Sequence, residues 1–281
     1  MNKIDVDISL IKKGLVKRKS RSNKYDYGNV TILAGSRKYG GASLMASSAS
    51  IYSGSGLTTL ISDLSNRIPL LSRTPETMFI DQVENRDVLL QLSKTNIALL
   101  GSGWDIEEAI FEELLAKVIN SKTNFPIVLD AGALALFDKG NNNHLVVATP
   151  HLGEWHRMSG LSYTEIENDL NNISAAFELG IEILVLKDST TRIYDISNQT
   201  IYYANFGGSF MSTGGSGDVL AGIITSFVGQ GLQNNVEIIN SVISGVGVHG
   251  ITARQVAESQ FISLPTQLVE RLPKTIWDLL Q

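Results

Sequence analysis

The sequence predicts an α/β fold: a mainly parallel sheet with helices on both faces. Three observations predict it. Short apolar runs recur as continuous stretches rather than alternating with polar positions, the pattern of strands covered on both sides. Helical patterns separate most of the runs, as parallel crossovers require. A Gly or a polar residue follows the run ends, at Gly35, Gly101, Asp130, Thr149 and Lys187. That carboxyl edge is where open α/β sheets bind ligands.

Each element has its own signal. Residues 29–34 (NVTILA) are a β-rich run stopped by Gly35. Residues 42–53 read as a helix of small residues, and 57–62 (LTTLIS) as the next strand. Residues 96–100 (NIALL) end in Gly101-Ser102-Gly103. Residues 106–119 have helical periodicity, with acids early and Lys117 late, as a helix dipole prefers. Strands are expected at 127–129 (IVL), ending in Asp130, and at 145–148 (LVVA), ending in Thr149-Pro150. One helix is expected over 163–179, with Ser162 as N-cap and Gly180 as its stop. Residues 181–186 (IEILVL) lead to Lys187, and 191–196 with 200–203 form a hairpin pair. From Gly215 onward the chain reads as mostly helical. No linker and no repeat divides it, so one domain over 1–281 is expected.

Composition excludes several functions. The 281 residues contain no Cys, which removes disulfides, thiolate metal sites and Cys nucleophiles and fits a reducing, cytoplasmic location. No apolar run approaches the ~18 residues of a membrane helix, and residues 1–10 are too polar for a signal peptide. A net charge of −5 argues against nucleic acid as a partner. Residues 1–24 hold eight bases and two acids, leaving −11 on the rest. This segment reads as a solvated basic arm; the functional alternative is that Lys24, at its end, reaches an anionic substrate.

The strongest chemical signal is the run 207–222, GGSFMSTGGSGDVLAG. A glycine turn runs straight into a helix start at Asp218. Its amides and the helix dipole would cradle an anion. Asp218 could then take the proton of a hydroxyl attacking a phosphate there, or could simply cap the helix. No Walker lysine follows the glycines, and the segment comes too late for a dinucleotide fingerprint. Residues 149–154, TPHLGE, put His151 and Glu154 about one helical turn apart; too few further ligands accompany them for zinc. Residues 37–52 form a glycine turn entering a small-residue helix, and 187–192 a polar loop that could edge a nucleotide.

The late glycine turn with its Asp resembles the ribokinase-like superfamily, implying a three-layer α/β/α sandwich. The motifs in order resemble one branch of it, the ADP- or ATP-dependent NAD(P)H-hydrate dehydratases. They are GNVTILAGS with YGGA, GSGW, LDAGAL, TPHLGE, LKDSTT, MSTGGSGDVLAG and VHG, spanning about 24–250. The resemblance implies repair of hydrated NADH or NADPH: a nucleotide's terminal phosphoryl group goes to the C6 hydroxyl, and phosphate then leaves. Asp218 would be the base. The Gly215, Ser216 and Gly217 amides would hold the phosphoryl group. Ala42, Gly103 and His151, with Asp218, would touch the hydrated cofactor. Lys187, Asp188, Ser189, Thr190 and Thr191, with Gly217, would surround the nucleotide, and Glu154 would help place Mg²⁺ through water. The family pattern also implies a homotetramer. The chain departs from that pattern at Asn23–Asp26, at Gly132, at Asp188 and at Phe206-Gly207-Gly208. The alternatives are a hydroxymethylpyrimidine- or hydroxyethylthiazole-type kinase and a non-catalytic nucleotide sensor. The kinase has no need of the TPHLGE pattern, and the sensor has no need of Asp218.

Overall fold

The computed structural model describes residues 1–138 and 142–281. One ten-stranded sheet runs through it. Its strands are β1 (Asn2–Asp5), β2 (Asn29–Leu33), β3 (Leu57–Ser62), β4 (Met78–Asp81) and β5 (Ile97–Leu100). Then come β6 (Ile127–Leu129), β7 (Val146–Ala148), β8 (Ile183–Leu186), β9 (Thr191–Asp195) and β10 (Thr200–Ala204). The spatial order is β1-β10-β9-β8-β7-β6-β5-β2-β3-β4, parallel except where β9 meets β8 and β10.

The helices are α1 (Ile8–Lys13), α2 (Gly40–Tyr52), α3 (Arg67–Arg73), α4 (Asn85–Leu92), α5 (Ala109–Ile119) and α6 (Gly132–Leu136). They continue as α7 (Leu152–Ser159), α8 (Tyr163–Ile166), α9 (Asp169–Glu178), α10 (Ser216–Gln233), α11 (Ile238–Ala257) and α12 (Pro265–Leu280). Alternate strand residues serve two cores. Ile97 and Leu99 face the core built with α2, α10, α11 and α12, while Ala98 and Leu100 face that of α4, α5, α7 and α9. Period-two alternation between two buried faces is why the strands look uniformly apolar in sequence.

Two expectations are corrected. The helix over 163–179 is two, α8 and α9. Ser162 does cap the first, in a capping box with Glu165, but Asn168 caps a second start by accepting from the Leu170 N–H. The Asn side chain competes for backbone donors and reopens the helix at that point. The basic N-terminal segment is also not a solvated arm throughout. β1 pairs in parallel with β10, and Ile11 of α1 is fully buried. Nor does Lys24 reach the carboxyl edge. It begins a 3₁₀ turn just before β2, and Asp26 in that turn accepts at 2.8 Å from Asn234, which closes the C-terminal end of α10. Asp218 stands at the other end of that helix, about 24 Å away at ~1.5 Å per residue.

Candidate active site

Four adjacent strands deliver the polar centre. β6 runs directly into Asp130, which is 2% exposed. Its Oδ1 accepts from Thr149 Oγ1 after β7 and from Lys187 Nζ after β8, both at 2.9 Å. Its Oδ2 accepts from Ser102 Oγ after β5, at 2.9 Å. Burial, the largest single influence, pushes the Asp130 carboxyl up. The Lys187 charge and the bonds from Lys187, Thr149 and Ser102 outweigh it and hold the group below the ordinary carboxylate value. Burial likewise pushes Lys187 down, but the Asp130 and Glu154 carboxylates leave it raised, so the pair is charged.

Asp218 lies in the first turn of α10, which starts at Gly215 in a left-handed conformation (φ 98°). No side chain caps this helix start. Asp218 therefore does not act as the cap, and of the first amides Ser216 N–H makes only a long 3.5 Å bond to Thr213 O, so the helix N-terminus still attracts an anion. Burial first, then the Asp130 charge, pushes Asp218 up to about 7, against the pull of Lys187 and Ser102. A carboxylate balanced near neutrality suits general-base work. His249 of α11 places Nε2 3.4 Å from Ser216 Oγ, and burial drives its pKa down to about 4, so it is neutral at pH 7.

His151 begins α7. Its Nδ1 accepts from the Gly153 and Glu154 N–H groups, and Glu154 Oε2 accepts from the His151 N–H at 2.8 Å. Because Nδ1 accepts, the neutral ring carries its proton on Nε2. Glu154 Oε2 also stands 3.9 Å from Lys187 Nζ, and the Lys187 N–H donates to Pro150 O at 2.8 Å.

A cavity of about 710 Å³ opens beside this centre, a size suited to a small ligand. His151, Lys187, Asp188, Ser189, Thr191, Ser216 and Gly217 line it; Thr190, Gly215, Ala42, Gly103 and Asp218 do not. Gly215 is backed by Met45 and Pro265. Ala42 and Gly103 meet each other: a Cβ at Gly103 would fall 2.7 Å from that of Ala42. Through Ser102, next to Gly103, this pair adjoins Asp130 and Asp218. Sequence reasoning passed over Ser102, Asp130 and Thr149 as site residues, although the strand-end rule had singled out their positions. It also passed over the apolar wall made by Phe206 and Met211, although both positions lie at or beside the glycine-turn motif.

The chain is similar to known proteins over most of its length. The ADP-dependent (S)-NAD(P)H-hydrate dehydratase of Listeria monocytogenes is 33% identical over 261 residues, 92% of this chain and 90% of that protein. A ribokinase-like superfamily protein from Enterococcus faecalis superposes with a TM-score of 0.91 at 30% identity, covering 99% of this chain and 96% of the other. The ADP/ATP-dependent NAD(P)H-hydrate dehydratase of Bacillus subtilis, co-crystallised with ATP/Mg²⁺, shares the fold at TM-score 0.85 and 24% identity over the whole of both chains. A family model for NAD(P)H-hydrate dehydratase matches residues 30–274. With a ribokinase-like fold and that match across most of its length, the chain belongs to the NAD(P)H-hydrate dehydratase family.

Proposed function

We propose that this protein dehydrates the S-epimer of hydrated NADH or NADPH, with ADP as phosphoryl donor and ATP as the alternative. The observation that carries the reading is Asp218, a half-buried carboxylate raised to about 7 at an uncapped helix start beside a glycine turn and Lys187. Asp218 takes the proton of the C6 hydroxyl as that oxygen attacks the terminal phosphorus, and AMP leaves. The Gly215–Gly217 amides stabilise the charge that develops on the phosphoryl oxygens. The C6–O bond then breaks with electrons from the ring nitrogen. Phosphate departs, and loss of the C5 proton restores the double bond. Phosphorylation converts hydroxide, a poor leaving group, into phosphate.

Ala42, Gly103 and His151 hold the hydrated cofactor in this reading, and Lys187–Thr191 hold the nucleotide. Among the described residues no cluster of three or more metal-ligating side chains forms. Mg²⁺, which keeps several waters and binds through one or two carboxylates plus substrate phosphates, fits such a site. Glu154, at the rim beside Lys187, would hold it through water, and the ion would supply neutralising charge to the phosphates. A single domain, a cytoplasmic location and a homotetramer belong to the same reading. Ile68 and Phe261, 78% and 96% exposed, are candidates for contacts between copies.

The test incubates the protein with S-NADH hydrate, Mg²⁺ and ADP or ATP, and follows NADH absorbance. Recovery of NADH with ADP is expected. No recovery with either nucleotide, together with phosphorylation of a pyrimidine or thiazole alcohol, would favour the small-molecule kinase instead.

A further inference from the structure

Four neighbouring strand ends converge on Asp130: Ser102 after β5, Asp130 itself after β6, Thr149 after β7 and Lys187 after β8. Three donors hold the carboxylate in place, two on Oδ1 and one on Oδ2, and the residue is buried. The group is therefore fixed in orientation, with its charge matched by Lys187. Among its donors only Lys187 has protons to spare, since an ammonium has three protons and Asp130 accepts only one. The same Nζ lies beside the glycine turn, 3.3 Å from where a Cβ on Gly217 would stand. A lysine side chain swings on a flexible four-carbon stem unless something fixes its end. Here a carboxylate locked by two hydroxyls fixes it, and the ion pair spares the phosphoryl site an unpaired negative charge.

We propose that Asp130 is a positioning residue: it anchors the Lys187 ammonium against the glycine turn, where its remaining protons meet the nucleotide's terminal phosphoryl group. This inference rests on the phosphoryl-transfer reading above. It separates Asp130 from Asp218, which receives the proton, and from the backbone amides, which cradle the phosphate.

The experiment is a double-mutant cycle of Asp130→Asn and Lys187→Ala with two readouts: kcat for NADH recovery, and the ratio of ADP to AMP affinity by calorimetry. Lys187→Ala should lower the ADP:AMP ratio by about 10- to 100-fold, the range of a hydrogen bond to a charged group. Asp130→Asn alone should lower the ratio and kcat in the same direction. In the Lys187→Ala background it should change either by less than about twofold, because its effect passes through the missing ammonium. Losses that add in full, or an Asp130→Asn variant with wild-type ratio and kcat, would overturn the proposal. The affinity ratio is read without turnover, so a wild-type protein that fails to restore NADH would sink the dehydratase reading while the cycle still decides on Asp130. Circular dichroism and a melting curve establish that each variant folds. If Asp130→Asn does not fold, Thr149→Val replaces it. That variant keeps the ion pair but removes one hydroxyl from the clamp, and the same non-additivity with Lys187→Ala is required of it.

Discussion

At the scale of single residues, the decisive feature is that two carboxylates share one centre in opposite states. Asp130 is surrounded by donors and stays ionised, whereas Asp218, half-buried near that negative charge, is raised to about 7. Asp218→Asn keeps size and one acceptor oxygen but removes the proton acceptor. We expect kcat to fall by ~10²–10⁴-fold, the usual span for a general base, with nucleotide Kd little changed. A kcat within about threefold of wild type would rule Asp218 out as the base. The wild-type kcat/KM profile should rise with pH through about 7, as Asp218 ionises. Stability runs the other way. The unfolded chain ionises this Asp near 3.8 and the folded chain near 7, so folding loses stability as pH rises between the two values. Each pKa unit corresponds to about 1.4 kcal/mol. Asp218→Asn should therefore melt higher than wild type above pH 7 and match it below about pH 4. A lower melting point for the variant at pH 8 would contradict the raised pKa.

At the scale of elements, the site depends on how closely α2 and α10 approach. A Cβ on Gly222 of α10 would fall 2.3 Å from the Ala46 carbonyl oxygen of α2 and 3.0 Å from Ala49 Cβ. The small-residue run legible at 42–53 is thus explained by this contact, which also fixes Ala42 relative to Asp218. Gly222→Ala must push the helices apart, because the clash is with backbone. We expect a loss of about 1–3 kcal/mol by denaturant melts, the cost of overpacking. KM for the hydrated cofactor should rise more than the nucleotide Kd, since Ala42 lies on the displaced helix and Lys187 does not. Unchanged KM in a destabilised variant would confine Gly222 to packing. The elements that sequence reasoning found are those with long apolar runs or strong stops, such as β3, found at 57–62 as a six-residue strand. It missed α3, α4 and β4, where burial is partial and the apolar pattern is diluted: Ile68, Leu89 and Leu90 are all more than half exposed. It joined α8 to α9 because an Asn inside a helical pattern looks tolerable until its side chain is seen to cap. It recognised the glycine turn and His151 because both carry local motifs. Asp130 lies in the LDAGAL motif, but its partners come from three neighbouring strands, and the motif alone does not name them.

At the scale of the whole molecule, the N-terminal segment is tied to the nucleotide side of the sheet by the β1–β10 pairing and by one acidic residue. Asp169 at the start of α9, 8% exposed, accepts from Tyr194 and Tyr203 hydroxyls at 2.8 Å each, from Lys3 at 2.7 Å and from Arg192 at 3.3 Å. Lys3 belongs to β1, Arg192 and Tyr194 to β9, and Tyr203 to β10. One carboxylate thus joins three strands and a helix beside the wall that Thr191 and Ala204 contribute to the cavity. Charge patterning alone suggested a solvated arm there, because a lysine paired across 166 residues of sequence looks the same as an unpaired one. Burial is the largest influence on Asp169 and acts to raise it. The bonds from Lys3, Tyr203 and Tyr194 prevail and leave its pKa below 3.8. A folded-state value below the unfolded one stabilises the fold above about pH 4, and that contribution is lost as pH falls through the folded value. Asp169→Asn should accordingly lower the melting point at pH 7 but lose less stability than wild type between pH 5 and 2. Removing one partner of a buried ion pair costs roughly 3–5 kcal/mol. Lys3 and Arg192 retain access to water here, so the lower end of that range is expected. Lys3→Met, which removes only the exposed partner, should cost less, as for a surface pair. Melting curves of the two variants and wild type across that pH range test the assignment. Parallel pH profiles for Asp169→Asn and wild type would show that this carboxylate does not hold the N-terminal strand.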